Sequence, residues 1–160
     1  MQQFEKILLA YDGTEKGRIA LRRAVQLLKS DGVREVSLLA VVPLTGAVAA
    51  AEGFYTESMY EAERERVEAV LEEGISILSR QGVDAQGYLR AGEPSHQIAR
   101  LAQDLEVDLV VVGHQRRGVL ARWWQGSVGA SLLDRLDCSM LVAQAAAEDL
   151  AEAQASGEEE

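Results

Sequence analysis

Cysteine is almost missing. Cys138 is the only one, so no disulfide can form within the chain, a multi-cysteine metal site is excluded, and a reducing compartment suits the sequence best. Long apolar runs are missing as well. Every hydrophobic stretch is broken by a charge or a glycine well short of the roughly 20 residues that span a bilayer. The opening residues, Met1-Gln2-Gln3-Phe4-Glu5-Lys6, lack the basic region and long apolar segment of a secretion signal. We therefore expect a soluble, cytoplasmic protein with no membrane partner. Positive charge is scarce too: 16 Lys and Arg against 26 Asp and Glu leave a formal net charge of -10. That balance argues against a nucleic-acid partner, because phosphate backbones need a basic surface. Acid, in turn, is missing from one place. Between Leu109 and Leu133 there is no Asp or Glu, while Arg116, Arg117 and Arg122 fall inside that window. The bland explanation is a buried strand followed by a surface loop; the sharper one is an anion-binding loop.

What remains is enough for one domain: 160 residues, 48% of them hydrophobic, can bury a single core without disulfides or metal. Glu5 to Tyr11 is a short apolar run entered from charge and closed by Asp12-Gly13-Thr14, a buried strand ending in a turn. Ile19, Ala20, Ala24, Leu27 and Leu28 follow at helical spacing, with Thr14 as the N-cap and Asp31-Gly32 as the stop. Val36 to Val42 is a second continuous apolar run, ended by Pro43, as expected of a strand covered on both faces. The Ala- and Gly-rich stretch from Leu44 to Thr56 reads as a mobile connection, and Ser58 to Gln81 as a long amphipathic surface helix carrying Val67, Val70, Leu71, Gly74, Ile75 and Leu78 on one face.

Further on, Tyr88-Leu89-Arg90 reads as a weak strand, and Gly92-Glu93-Pro94 leads into a helix with Ile98, Leu101, Ala102 and Leu105 inside. Asp108 to Val112 is the strongest strand in the chain and stops at Gly113. Ser127 to Leu136 reads as helix and Met140 to Ala143 as a last strand. Strands alternating with helices imply right-handed crossovers, hence an α/β fold with a five-stranded parallel sheet and helices on both faces. Residues 1–144 form the expected domain. Residues 145–160, rich in Ala, Glu and Gln without an apolar stripe, are expected to be a frayed or disordered acidic tail.

Open parallel sheets bind ligands beyond the carboxyl ends of their strands, which directs attention to Asp12-Gly13-Thr14, Val41-Val42-Pro43 and the segment from Gly113 onward. Glycine directly after a buried strand lets a ligand approach the backbone, and Gly126-Ser127 opening a helix offers N–H groups and a hydroxyl to phosphate oxygens. This is not a Walker loop, since Gly-Lys-Ser/Thr is missing, and no Gly-x-Gly-x-x-Gly follows the first strand. His114, in the same loop, is of the right type to accept a proton or touch phosphate, but it has no visible carboxylate or serine partner.

Asp12 after the first strand, Val-Val-Gly at the end of the fourth, and a long loop closing on Gly126-Ser127-Val128 resemble the universal stress proteins. The resemblance implies a Rossmann-like fold of the adenine nucleotide alpha hydrolase type. The ATP-binding branch carries Gly-x2-Gly-x9-Gly-(Ser/Thr) in this loop. With Gly113 as the first glycine and Gly126-Ser127 as the last pair, both spacings hold, but the middle glycine is Arg116. Arginine there costs about 1 kcal/mol if the backbone is left-handed; beside a triphosphate it offers charge-assisted hydrogen bonds of roughly 1.5–3 kcal/mol each. Gly118 can supply flexibility instead.

Carried over, the resemblance puts Asp12 and Val41 or Val42 near an adenine, Gly113 near the ribose, and Gly126, Ser127 and Val128 at the phosphates. Ala10, His114, Arg116 and Arg117 are counted among the binding residues. Asp12 has an alternative role as an acid at a helix N-terminus. The implied ligand is ATP, with or without magnesium, or else ADP or AMP. The resemblance also implies a homodimer through the last strand, Ser139 to Ala143, which carries no proline or lysine to guard an edge. The expected function is a stress-response or signalling switch with an unidentified protein partner, not an efficient enzyme. The alternative is a member that binds no nucleotide and acts through protein contacts alone, motivated by Arg116.

Overall fold

The structure, a computed structural model, describes residues 3–43, 56–113 and 132–143. Five strands, β1 (Lys6–Ala10), β2 (Glu35–Pro43), β3 (Gln86–Gly92), β4 (Leu109–Gly113) and β5 (Ser139–Ala143), form one sheet in the order β3-β2-β1-β4-β5. All four pairings are parallel. Between them lie helices α1 (Glu15–Leu28), α2 (Glu57–Arg80), α3 (Pro94–Asp104) and α4 (Leu132–Arg135).

β1 and β4 are continuous apolar runs because both faces of the sheet are covered. Along β1 the side chains alternate. Ile7 and Leu9 pack with Leu21, Ala24 and Val25 of α1 and Leu78 of α2. Leu8, between them, packs on the other face with Ile98 and Leu101 of α3 and with Leu132 of α4. β4 repeats the division, with Leu109 and Val111 on the first face and Val110 and Val112 on the second. The register between these two strands is set at its amino end by Asp108, whose carboxylate accepts from the backbone N–H of Glu5 at 2.9 Å and of Lys6 at 3.2 Å.

Capping side chains define where the helices begin. Thr14 Oγ1 accepts from Gly17 N at 3.1 Å, and Thr56 Oγ1 from Met59 N at 3.2 Å. Thr56 therefore belongs to α2 rather than to the connection expected before it; residues 44–55 of that connection lie outside the described residues. Glu93 caps α3, accepting from the N–H groups of Ser95 and His96 at 3.2 and 2.8 Å, and Pro94 takes the first helical position, where a missing N–H costs nothing.

One expectation changes. β3 runs for seven residues, not three; it is an edge strand, half-buried along most of its length, so its apolar pattern is weak. Cys138 is half-buried against the second core face, and burial pushes its thiol up. Of the helix expected over Ser127 to Leu136, residues 127–131 lie outside the described residues, and Leu132–Arg135 is helical.

Candidate functional site

β1 ends at Ala10, but Tyr11 N still donates to Leu39 O at 3.0 Å, so the chain follows β2 for one more residue before it turns. Asp12 makes the turn: its Oδ1 accepts from Thr14 N at 3.0 Å and from Thr14 Oγ1 at 2.6 Å, a side chain imitating a backbone turn. Its Oδ2 has no hydrogen-bond partner among the described residues. Gly13 follows at φ +78°, where a Cβ would also fall 2.7 Å from Val70 Cγ2 of α2. The absence of that atom lets α2 close down over the carboxyl ends of β1 and β2.

Beneath the crossing lies a small cleft that opens to solvent. Leu39, Val41 and Ile98 line it from the sheet and α3, Val67 and Val70 from α2. Among the described residues, Asp12 and Arg66 are the only charged side chains that line it. An apolar cleft with a few convergent polar groups is the kind of place where a small ligand binds, and an apolar slot ending in a carboxylate acceptor suits a flat ring with an exocyclic amino group.

Behind the cavity the two helices are tied together. Glu73 Oε1 on α2 accepts from the Tyr11 hydroxyl and from Arg18 Nε of α1, each at 2.6 Å. Burial, then the neighbouring carboxylate, pushes the Tyr11 phenol well above its ordinary range. The hydrogen bond from Tyr11 and that from Arg18 hold Glu73 below the usual carboxylate range. At neutral pH the phenol is therefore a neutral donor to a charged acceptor. On the cavity side, Glu63 Oε1 and Oε2 accept from Arg66 Nη2 at 2.7 Å and Nε at 3.1 Å, and that guanidinium holds the Glu63 carboxyl low.

The sequence-derived residues fall into three groups. Ala10, Asp12 and Val41 come together in the cavity lining. Val42 is not in the lining: it points to the face of β2 opposite Val41, where it is buried with Ala40 and Val67, and Gly113 ends β4 beside α1, where a Cβ would be 3.2 Å from that of Ala20. His114, Arg116, Arg117, Gly126, Ser127 and Val128 lie outside the described residues. Sequence reasoning missed Arg66, Val70 and Pro94. In the sequence Val70 belongs to the helix's apolar stripe, and nothing in the pattern sets Arg66, one residue before Val67, apart from the helix's other charged residues. No group of three or more His, Cys, Asp or Glu among the described residues could hold a metal, and no described helix is long and apolar enough to cross a membrane.

A parallel sheet ordered 3-2-1-4-5, with a cavity beyond the carboxyl ends of its central strands, defines a doubly wound α/β domain of the Rossmann-like class. Within that class the chain belongs to the universal stress protein family, whose model matches residues 3–144. It is 33% identical over 147 residues to the universal stress protein YxiE of Bacillus subtilis, covering 87% of this chain and 98% of that one. The universal stress protein Sll1388 of a Synechocystis strain is 28% identical, with 88% and 98% covered. The fold is shared with the hypothetical protein MJ0577 (TM-score 0.69, 21% identity, 91% of this chain and 99% of that one). It is shared too with a universal stress protein in complex with cAMP (TM-score 0.64, 19% identity, 91% and 100%) and with that of Archaeoglobus fulgidus in complex with dAMP (TM-score 0.62, 18% identity, 88% and 98%).

Proposed function

We propose that this chain is a cytoplasmic, homodimeric nucleotide switch that binds ATP and is not an efficient enzyme. The observation that carries the reading is the cavity: an apolar slot at the ends of β1 and β2 that meets an acceptor, Asp12 Oδ2, with no other partner among the described residues. Relatives of the same fold have been solved with cAMP and dAMP, which supports an adenine ring as the occupant. Gly113, Gly126, Ser127 and Val128 would then hold ribose and phosphates, with Arg116 and Arg117 supplying positive charge and any magnesium arriving with the nucleotide. ADP and AMP fit the same base slot. The hydroxyl–carboxylate pair at the cavity, Thr14 with Asp12, is engaged in the turn and cap that start α1, which argues against its use as an activated nucleophile in turnover. The cytoplasmic assignment rests on the single cysteine.

The dimer is supported by β5, which lies at the sheet edge with Leu141 41% exposed and Ser139 also open to solvent. Sizing at micromolar concentration should give the mass of two chains; a monomer peak would remove the dimer.

One residue favours a second reading. Arg116 stands where the ATP-binding loop pattern has glycine, and in that reading it closes the site and leaves a scaffold that works through protein contacts. Titration calorimetry of the full chain separates the two. ATP should give saturable heat and GTP little, because a carbonyl replaces the amino group that Asp12 would accept from. A chain silent toward ATP would leave the protein-contact function.

A further inference from the structure

The cavity has no aromatic wall to receive a flat ring. Tyr11 is the one aromatic residue lining it among the described residues, and it is 3% exposed with its hydroxyl engaged by Glu73. Arg66 lies on the same lining, one residue before Val67 and four before Val70, so helical spacing keeps all three on one side of α2. Unlike those valines, its side chain is 57% exposed, which puts it at the mouth rather than the floor. Its guanidinium is held by both oxygens of Glu63, one turn earlier on the same helix. Two parallel hydrogen bonds fix the plane of an arginine as well as its position.

We propose that Arg66 is the outer wall of the base subsite: its guanidinium plane, oriented by Glu63, stacks on a planar heteroaromatic ring that rests against Val41 and Val70. This rests on the reading of the cavity as a base slot. The arrangement favours ring over phosphate. Glu63 already engages one edge of the fork and brings a negative charge with it, so the pair is close to neutral and a phosphate would meet a carboxylate beside the arginine. A flat cation's face stays available to a π system when its edge is hydrogen-bonded. Asp12, on the same lining, favours the charged guanidinium further. Glu63 is accordingly a positioning residue and Arg66 the contact.

The test uses three ligands on the full chain: ATP, adenosine, which has the ring without phosphate, and inorganic tripolyphosphate, which has phosphate without the ring. Arg66→Ala should weaken adenosine and ATP by the same factor, roughly 3- to 30-fold. Arg66→Lys, which keeps the charge and loses the plane, should resemble the alanine variant, and Glu63→Gln should fall between it and the native chain. Because Arg66 is exposed, these variants should fold. In the native chain, adenosine should move the Arg66 Nε–H resonance upfield through the ring current, and tripolyphosphate should not. Loss confined to ATP would assign Arg66 to phosphate and overturn the proposal. Unchanged affinities in Arg66→Ala would overturn it while leaving the base slot standing. A native chain that binds neither ATP nor adenosine would overturn both.

Discussion

Asp12→Asn is expected to weaken ATP roughly 10- to 150-fold, the effect of losing a hydrogen bond to a charged group, while the melting temperature stays close to that of the native chain. The two halves of the expectation come from the two carboxylate oxygens. Oδ1 is occupied by the turn, accepting from both the backbone and the hydroxyl of Thr14. Asparagine keeps a carbonyl oxygen there, so the turn and the Thr14 cap of α1 survive. At the other position it replaces an acceptor by an NH2 group, and a ligand's amino group would then face a second donor. Inosine triphosphate, with a carbonyl at that ring position, should lose little or gain, so the preference for ATP narrows or inverts. Calorimetry with both nucleotides beside a thermal melt decides the matter. An equal loss for both would mean that Asp12 does not meet the amino group; a collapse in melting temperature would return it to a purely structural role.

Gly74→Ala should destabilise the protein, although alanine in the middle of a helix ordinarily gains about 1 kcal/mol over glycine. A Cβ at Gly74 would stand 2.6 Å from Leu38 Cδ2 and 2.7 Å from Tyr11 Cδ1. Leu38 is fully buried, and the Tyr11 ring cannot swing aside without breaking the 2.6 Å bond from its hydroxyl to Glu73. Overpacking a site of this kind costs about 1–3 kcal/mol, which outweighs the propensity gain. A net loss of up to about 2 kcal/mol would lower the melting temperature by up to roughly 8 °C in a chain of this size. If α2 relieves the clash by lifting, Val70 and Arg66 move with it and the cavity opens, so nucleotide affinity should fall in the same variant. An alanine variant as stable as the native chain would show that α2 is not held down at this point.

Much of the fold was legible because the sheet is covered on both sides. β1, β2 and β4 stand out as apolar runs ended by Asp12, Pro43 and Gly113, and the alternation of strand and helix carried the parallel topology with it. β3 was the weak point. As an edge strand its residues are mostly half-buried, and Gly87 and Gly92 dilute what pattern there is. In the site, Ala10, Asp12 and Val41 were accessible to sequence reasoning because a parallel sheet puts the ends of its strands in one place. Arg66 and Val70 were not, since their place depends on how closely α2 crosses those ends. That approach is set by two atoms that are not there, the β-carbons of Gly13 and Gly74, and no periodicity within α2 reports it. Pro94 joins the lining through the same long-range arrangement, where α3 starts beside β2.

The division of side chains along β1 and β4 has a thermodynamic consequence. Each of these strands gives alternate residues to two separate apolar layers, so neither helical layer can detach without baring a strand that the other still grips. The domain should therefore melt as one cooperative unit rather than shed a layer at a time. A small molecule seated at the ends of β1 and β2 would then stabilise the whole sheet by mass action, far beyond the residues it touches.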